Sequence, residues 1–336
     1  MKLLFELSKE HTTLPKAEVL ACLQAEKIDY SIIQSTEDVI IIDANIKKSV
    51  IKRLADRLSL TFYIDKLLFS CSPSTKNLLN HATSHPVRGK GSIAIDHKNR
   101  SNSIDSQPII KLLADVYAKD RIVNLEKPDI CIRVLITDMP IVYVGSQIER
   151  INRKQFEERK VQHRPFFSPI SLHPKLARTL VNLSLIKKDK TLLDPFCGTG
   201  GILLEAGLIG ARILGSDIEK KMIEGCKKTF EFYNIKNYSL FCSDIGDIKK
   251  NIDAVDAIVT DLPYGRSTTT KGETVEKLYE RAIKNIYDVL KNNGRAVIGS
   301  SNKDVISIGK KYFSLVEKHE IKVHRSLTRY FAVYQK

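Results

Sequence analysis

Asp194-Pro195-Phe196-Cys197-Gly198-Thr199-Gly200-Gly201 ends a short leucine-rich stretch at residues 191–194 and opens an apolar one at residues 202–208. The spacing predicts a strand, a glycine turn and a helix. Glycines at such a turn let the backbone approach a ligand with no Cβ in the way. Two phosphate-binding loops are excluded, because the Gly-Lys-Ser/Thr of a P-loop and the G-x-G-x-x-G dinucleotide spacing are both missing. Acidic residues instead end successive predicted strands: Asp194, Asp217, Asp244 and Asp261. A carboxylate at the loop repels pyrophosphate and suits the cationic methionyl moiety of S-adenosylmethionine. The loop residues Asp194, Pro195, Phe196, Cys197, Gly198 and Gly200 are therefore expected to line a site for that cofactor.

Reading outward, Asp217 ends the second strand, where a carboxylate accepts from ribose hydroxyls in nucleoside-binding α/β folds. Asp244 ends the third and can accept from the adenine N6 amine, with Ile218 and Ile245 walling the ring. A strand-end Asp taken alone is commonly a helix N-cap. Four in order are hard to explain by capping.

The fourth strand runs into Thr260-Asp261-Leu262-Pro263-Tyr264-Gly265-Arg266-Ser267. An exocyclic amine on a base is a poor nucleophile, because its lone pair is delocalised into the ring. Asp261 and the Leu262 carbonyl can accept its two N–H groups, Pro263 shapes the turn, and Tyr264 can stack on the base. Such a site works by positioning and electrostatics, with no covalent intermediate. The same residues could form a plain turn. Their place after a hydrophobic strand and downstream of the Asp194 loop favours the substrate site, and Asp261 is counted with the cofactor residues too. Pyrimidine-C5 methylation needs a cysteine at the base. None lies in residues 261–267, so Cys197 is expected to pack beside the cofactor.

From residue 191 strands alternate with helices, which implies a parallel sheet covered on both faces. Residues 321–324 and 328–333 form a strand pair that puts an antiparallel strand into it. The catalytic half is thus expected to be an α/β, Rossmann-like domain. Residues 1–70 read β-α-β-β-α-β, the ferredoxin-like order, and residues 71–147 read as a second small α+β unit. Residues 147–164 are polar and rich in Arg and Lys, and read as a connector.

The 336 residues carry 54 Lys+Arg against 39 Asp+Glu, a formal charge of +15. The excess is 25 against 20 in residues 1–160 and 29 against 19 in residues 161–336. Such scattered positive charge suits a folded surface that meets phosphates. The six cysteines lie far apart with no C-x-x-C pair, which excludes a zinc knuckle or a secreted disulfide framework. No apolar run reaches the roughly 18 residues of a membrane span, and no leader pattern opens the chain, so a cytoplasmic protein without membrane contact or metal is expected.

The stretch Arg164-Pro165-Phe166-Phe167-Ser168-Pro169, read with residues 192–210, 260–267 and 324–330, resembles the archaeal tRNA (guanine-N2) methyltransferases that act at position 10. The tetrad resembles the Asp/Asn-Pro-Pro-Tyr motif of amino-methyltransferases, with Leu262 in place of the usual proline. The resemblance implies that Phe167 and Ser168 help bind S-adenosylmethionine and that tRNA is the partner. It also implies a ferredoxin-like domain at 1–70, a THUMP-like RNA-binding domain at 71–147, a linker at 148–164 and a methyltransferase domain at 165–336. A partner subunit stays open. So do two rivals, a DNA adenine-N6 or cytosine-N4 methyltransferase and a non-catalytic RNA-binding protein with a decayed methyltransferase domain. On sequence alone, Leu262→Pro is expected to be tolerated, and a fragment from residue 164 onward, if soluble, is expected to bind cofactor but to lose most activity on tRNA.

Overall fold

The computed structural model describes residues 1–167, 171–263, 273–324 and 327–336. In chain order the first half forms β1 (Lys2–Leu7), α1 (Leu14–Ala25), β2 (Tyr30–Ser35), β3 (Val39–Ala44), α2 (Lys48–Arg57) and β4 (Thr61–Cys71). It continues with α3 (Thr75–Ser84), β5 (Ile93–Asn99), α4 (Gln107–Tyr117), β6 (Ile130–Ile136) and β7 (Val142–Arg150). The second half holds α5 (Lys154–Glu158), α6 (Pro174–Leu183), β8 (Thr191–Asp194), α7 (Gly201–Leu208), β9 (Arg212–Asp217), α8 (Lys220–Phe232) and β10 (Tyr238–Cys242). It ends with β11 (Val255–Asp261), α9 (Val275–Val289), β12 (Leu290–Ser300), α10 (Asp304–Gly309), β13 (Ser314–His324) and β14 (Leu327–Gln335).

Contacts divide the chain into two compact units. The first comprises Met1–Glu10, Ile28–Asp56 and Thr61–Ile151. Its sheet has the order β2-β3-β1-β4-β7-β6-β5, antiparallel except for the β5–β6 pair. The four strands of residues 1–70 thus share one sheet with those of residues 71–147, joined where β4 pairs with β7 through Leu67 and Gly145. Helices α3 and α4 bury Leu78, Ile109, Leu113 and Tyr117 in one core with Ile132, Val134 and Val144. β7 runs to Arg150, so residues 147–150 of the expected connector are strand, with Gln147 opposite Asp65 and Arg150 opposite Tyr63. Only the distant partner strand satisfies those polar residues' backbone groups, and local composition does not reveal it.

The second unit comprises His11–Lys27, Arg57–Leu60 and Asn152–Lys336. Its sheet has the order β10-β9-β8-β11-β12-β14-β13. Strands β8 to β12 run parallel, and β14 is antiparallel to both of its neighbours. Chain progression reverses between β8 and β11, which is the topological switch point where open α/β sheets bind ligands. Helix α1 belongs here: Leu14, Ala17 and Ala21 lie in one core with Ala177 and Leu180 of α6. Glu18 on α1 is fully buried and accepts from the N–H groups of Ser59 (3.1 Å) and Leu60 (2.8 Å) and from Asn182 Nδ2 (2.8 Å). A buried carboxylate needs such partners.

Candidate active site

β8 ends at the buried Asp194. Its Oδ1 accepts from Thr260 Oγ1 at 2.7 Å and from the Phe196 N–H at 3.1 Å. Thr260 immediately precedes Asp261, so this bond ties the Asp194 loop to the strand that ends in Asp261. Burial pushes the Asp194 carboxyl up to about 7, and the nearby Asp217 and Asp261 push the same way.

Asp217 ends β9, one strand away. Its Oδ2 accepts from the Gly198 N–H at 2.9 Å and its Oδ1 from the Glu219 N–H at 2.9 Å. Burial again raises its carboxyl above the ordinary range. Gly200 has φ +79°, and a Cβ there would collide with Cys226 Sγ and the Phe230 ring. Glycine is required on both counts. Pro195 and Cys197 are buried, and Phe196 is half-buried. The Cys197 thiol contacts Cys226, and that contact together with burial holds its pKa well above the usual value. It is an inert thiol.

Asp244 follows β10 and caps a 3-10 turn, Ile245–Lys250, by accepting the Gly246 N–H at 2.7 Å. It also pairs with Arg281 of α9, whose guanidinium bonds Glu273 Oε2 at 2.8 Å. Ile245 is buried and Ile218 half-buried. Asp217 ends its strand as expected, whereas Asp244 lies two residues past the end of β10 at Cys242 and serves as a cap, because the chain turns into the 3-10 segment there.

Asp261 ends β11 opposite Gly299 of β12. A Cβ at Gly299 would lie 2.6 Å from Asp261 Oδ1 and 2.7 Å from the Phe331 ring, so the missing side chain makes room for the carboxylate. Arg329 of β14 brings Nη1 to 3.8 Å from Asp261 Oδ2, placing positive charge beside it. Leu262 is buried and donates its N–H to the Gly299 carbonyl at 2.8 Å. The Pro263 carbonyl accepts from the Tyr279 hydroxyl at 2.9 Å.

The strand order thus brings the ends of β10, β9, β8 and β11 side by side, with Asp194 and Asp261 on either side of the switch point. Phe167 is 59% exposed. Ser168 and Tyr264 lie outside the described residues. Among the described residues no cluster of three or more His, Cys, Asp or Glu is arranged to hold a metal. Tyr279, Arg281, Gly299 and Ser300 were not singled out from the sequence, and Arg329 entered only as part of residues 324–330. Gly299-Ser300 ends a strand of the same sheet, which is a signal of its kind. Tyr279 and Arg281 sit on a helix whose approach to the site is set by tertiary packing and by polar contacts with residues distant in sequence.

Residues 162–330 match the RMKL-like methyltransferase domain. The chain is 35% identical to the tRNA (guanine(10)-N2)-dimethyltransferase of Methanothermobacter thermautotrophicus, with all of both chains covered. It is 32% identical to the protein of the same name from Methanocaldococcus jannaschii, with 99% of each covered. Among solved structures, TrmN from Thermus thermophilus superposes with a TM-score of 0.59 at 18% identity, covering 100% of each chain, a likeness of fold.

Proposed function

The chain belongs to the tRNA (guanine(10)-N2)-dimethyltransferase family, and from that premise we propose that it methylates the exocyclic N2 amine of a guanine in tRNA, using S-adenosylmethionine. The observation that carries the proposal is the Asp261–Pro263 segment at the carboxyl end of β11, beside the Asp194 loop at the switch point. The residues fit the cofactor. The Asp194 carboxyl, raised to about 7 chiefly by burial with Asp217 and Asp261 pushing the same way, favours a cationic guest. S-adenosylmethionine supplies an electrophilic methyl group. Asp217 holds the ribose hydroxyls while fixing Gly198, and Asp244 shares its carboxylate between Arg281 and the adenine amine, with Ile218 and Ile245 on the ring. Pro195, Phe196, Cys197, Gly198 and Gly200 shape the loop, and Phe167 and Ser168 complete the pocket.

At the substrate, Asp261 and the Leu262 carbonyl accept the two N–H groups of the amine, and Tyr264 stacks on the base. Holding the nitrogen in line supplies the rate. The base leaves its helix to reach this site, at roughly a few kcal/mol. We assign residues 1–70, apart from α1 and Arg57–Leu60, to a ferredoxin-like domain and 71–147 to a THUMP-like domain that grips RNA through phosphates and shape. The expected linker at 148–164 gives way to β7, which runs to Arg150, and to a methyltransferase unit that takes in α1, Arg57–Leu60 and Asn152–Lys336. Guanine 10 is the expected target.

Nucleosides from unmodified tRNA, incubated with enzyme and cofactor, should yield N2-methyl- or N2,N2-dimethylguanosine by mass spectrometry. Asp261→Ala should bind cofactor and tRNA within a fewfold and transfer methyl about a hundredfold slower. Methylation of duplex DNA in place of tRNA would overturn the proposal, as would wild-type transfer by Asp261→Ala.

A further inference from the structure

Tyr279 is fully buried on α9, in one apolar cluster with Leu262, Ile283, Ile298 and Ala332. A phenylalanine would fill that space equally well. The hydroxyl needs a partner in such a core, and the partners it has form a directed chain. The Asn302 N–H donates to Ser300 Oγ at 2.9 Å, Ser300 Oγ donates to the Tyr279 hydroxyl at 3.2 Å, and that hydroxyl donates to the Pro263 carbonyl at 2.9 Å. Each hydroxyl accepts once and donates once, an arrangement in which successive bonds polarise one another. Burial also raises the phenol's pKa, so the donor stays protonated.

The backbone on either side of the Leu262 carbonyl is anchored. The Leu262 N–H bond to Gly299 holds the peptide plane before it. The Tyr279 bond to the Pro263 carbonyl holds the plane after it. Between them the Pro263 ring fixes φ, and a residue before proline is confined to extended conformations. The Leu262 carbonyl is therefore aimed by its neighbours. Where the commoner motif has a second proline to stiffen this turn, the present chain has Leu262, whose N–H is held by β12.

We infer that Tyr279, backed by Ser300, is a positioning residue for methyl transfer, setting the orientation of the Leu262–Pro263 backbone that receives the amine. The inference rests on the proposed amine-binding role of Asp261 and Leu262. Tyr279→Phe removes one oxygen and keeps the ring. In the full chain, single-turnover transfer at saturating S-adenosylmethionine and tRNA should fall about tenfold, within the range that misplacement of a reacting group produces. Cofactor and tRNA affinities should stay within about twofold, because neither contact is touched. Ser300→Ala should lower the rate in the same sense by about threefold, since the hydroxyl keeps its acceptor and loses its donor.

Transfer by Tyr279→Phe within about twofold of wild type would overturn the inference, as would a loss of cofactor affinity that parallels the loss of rate. Should Tyr279→Phe fail to fold, Ser300→Ala decides on the same two readings. Asp261→Ala run beside them separates the levels. If it transfers at the wild-type rate, the reading of Asp261 itself fails. If it is inactive while Tyr279→Phe is unimpaired, only the role of Tyr279 fails.

Discussion

Leu262 donates its backbone N–H to the Gly299 carbonyl across 2.8 Å, a bond that proline at this position could not make. The motif's commoner residue is therefore the wrong one for this backbone, contrary to the sequence-based expectation. Leu262→Pro should lose about 1–3 kcal/mol by leaving a buried carbonyl unpaired, and it should slow methyl transfer. Thermal unfolding and single-turnover kinetics check both. A variant with wild-type stability and rate would show that the bond contributes nothing.

Gly299 sits where a methyl group would press on the Asp261 carboxylate and on Phe331. Gly299→Ala should shift the carboxylate and cut transfer by about tenfold or more, with cofactor affinity preserved. Calorimetry alongside the rate measurement separates the two. Equal losses of affinity and rate would mean that the strand, and not the carboxylate, had moved.

Asp194 lends the site a pH dependence with a definite sign. Burial pushes its carboxyl up to about 7, so below that pH it is largely neutral in the free protein. A bound cation favours the carboxylate, and binding therefore expels the proton. Cofactor affinity should fall as pH drops through about 7, approaching tenfold per unit below it, and level off above. Asp194→Asn should flatten the dependence. Affinities of wild type and Asp194→Asn that vary identically between pH 5.5 and 8 would remove Asp194 from the linkage.

A fragment beginning near residue 164 lacks α1 and Arg57–Leu60, which belong to the catalytic unit. It exposes the core surface that Leu14, Ala17, Ala21 and Leu60 cover. It also strips Asn182 of Glu18 and of the Arg57 side chain, which bonds its Oδ1 at 3.2 Å. Such a fragment should unfold at markedly lower temperature than the full chain, or without a cooperative transition, because each of the two lost leucines is worth roughly 1.5–3 kcal/mol of burial. Circular dichroism melts decide. A full-chain melting temperature in the fragment would show that the N-terminal helix is dispensable.

Much of the catalytic half was legible because its signals are local. A strand of four residues, a glycine turn and an apolar helix occupy one short window, and Asp194, Asp217 and Asp261 sit where their strands stop. Periodicity of that kind shows directly in the order of side chains. The expected antiparallel strand near the C-terminus is β14, which separates β12 from β13. The N-terminal half was less legible. Its polar strand end at residues 147–150 reads as a connector until β4 is seen beside it, and α1 looks like a local crossover helix until its partner α6 is known.

By itself the sequence determined the strand–loop–helix around Asp194, the strand ends at Asp217 and Asp261, and the segment from Asp261 to Pro263 that closes β11. All of these are written in contiguous residues. Only the tertiary structure decided which strands lie side by side, so that Thr260 reaches Asp194 and Gly299 makes room for Asp261. It alone decided that Tyr279 and Ser300 brace Pro263, and that α1 is counted with the catalytic unit. The physical reason is the range of the forces involved. Turn geometry and side-chain alternation act over a few residues, whereas strand pairing and the satisfaction of buried polar groups join residues tens to hundreds of positions apart.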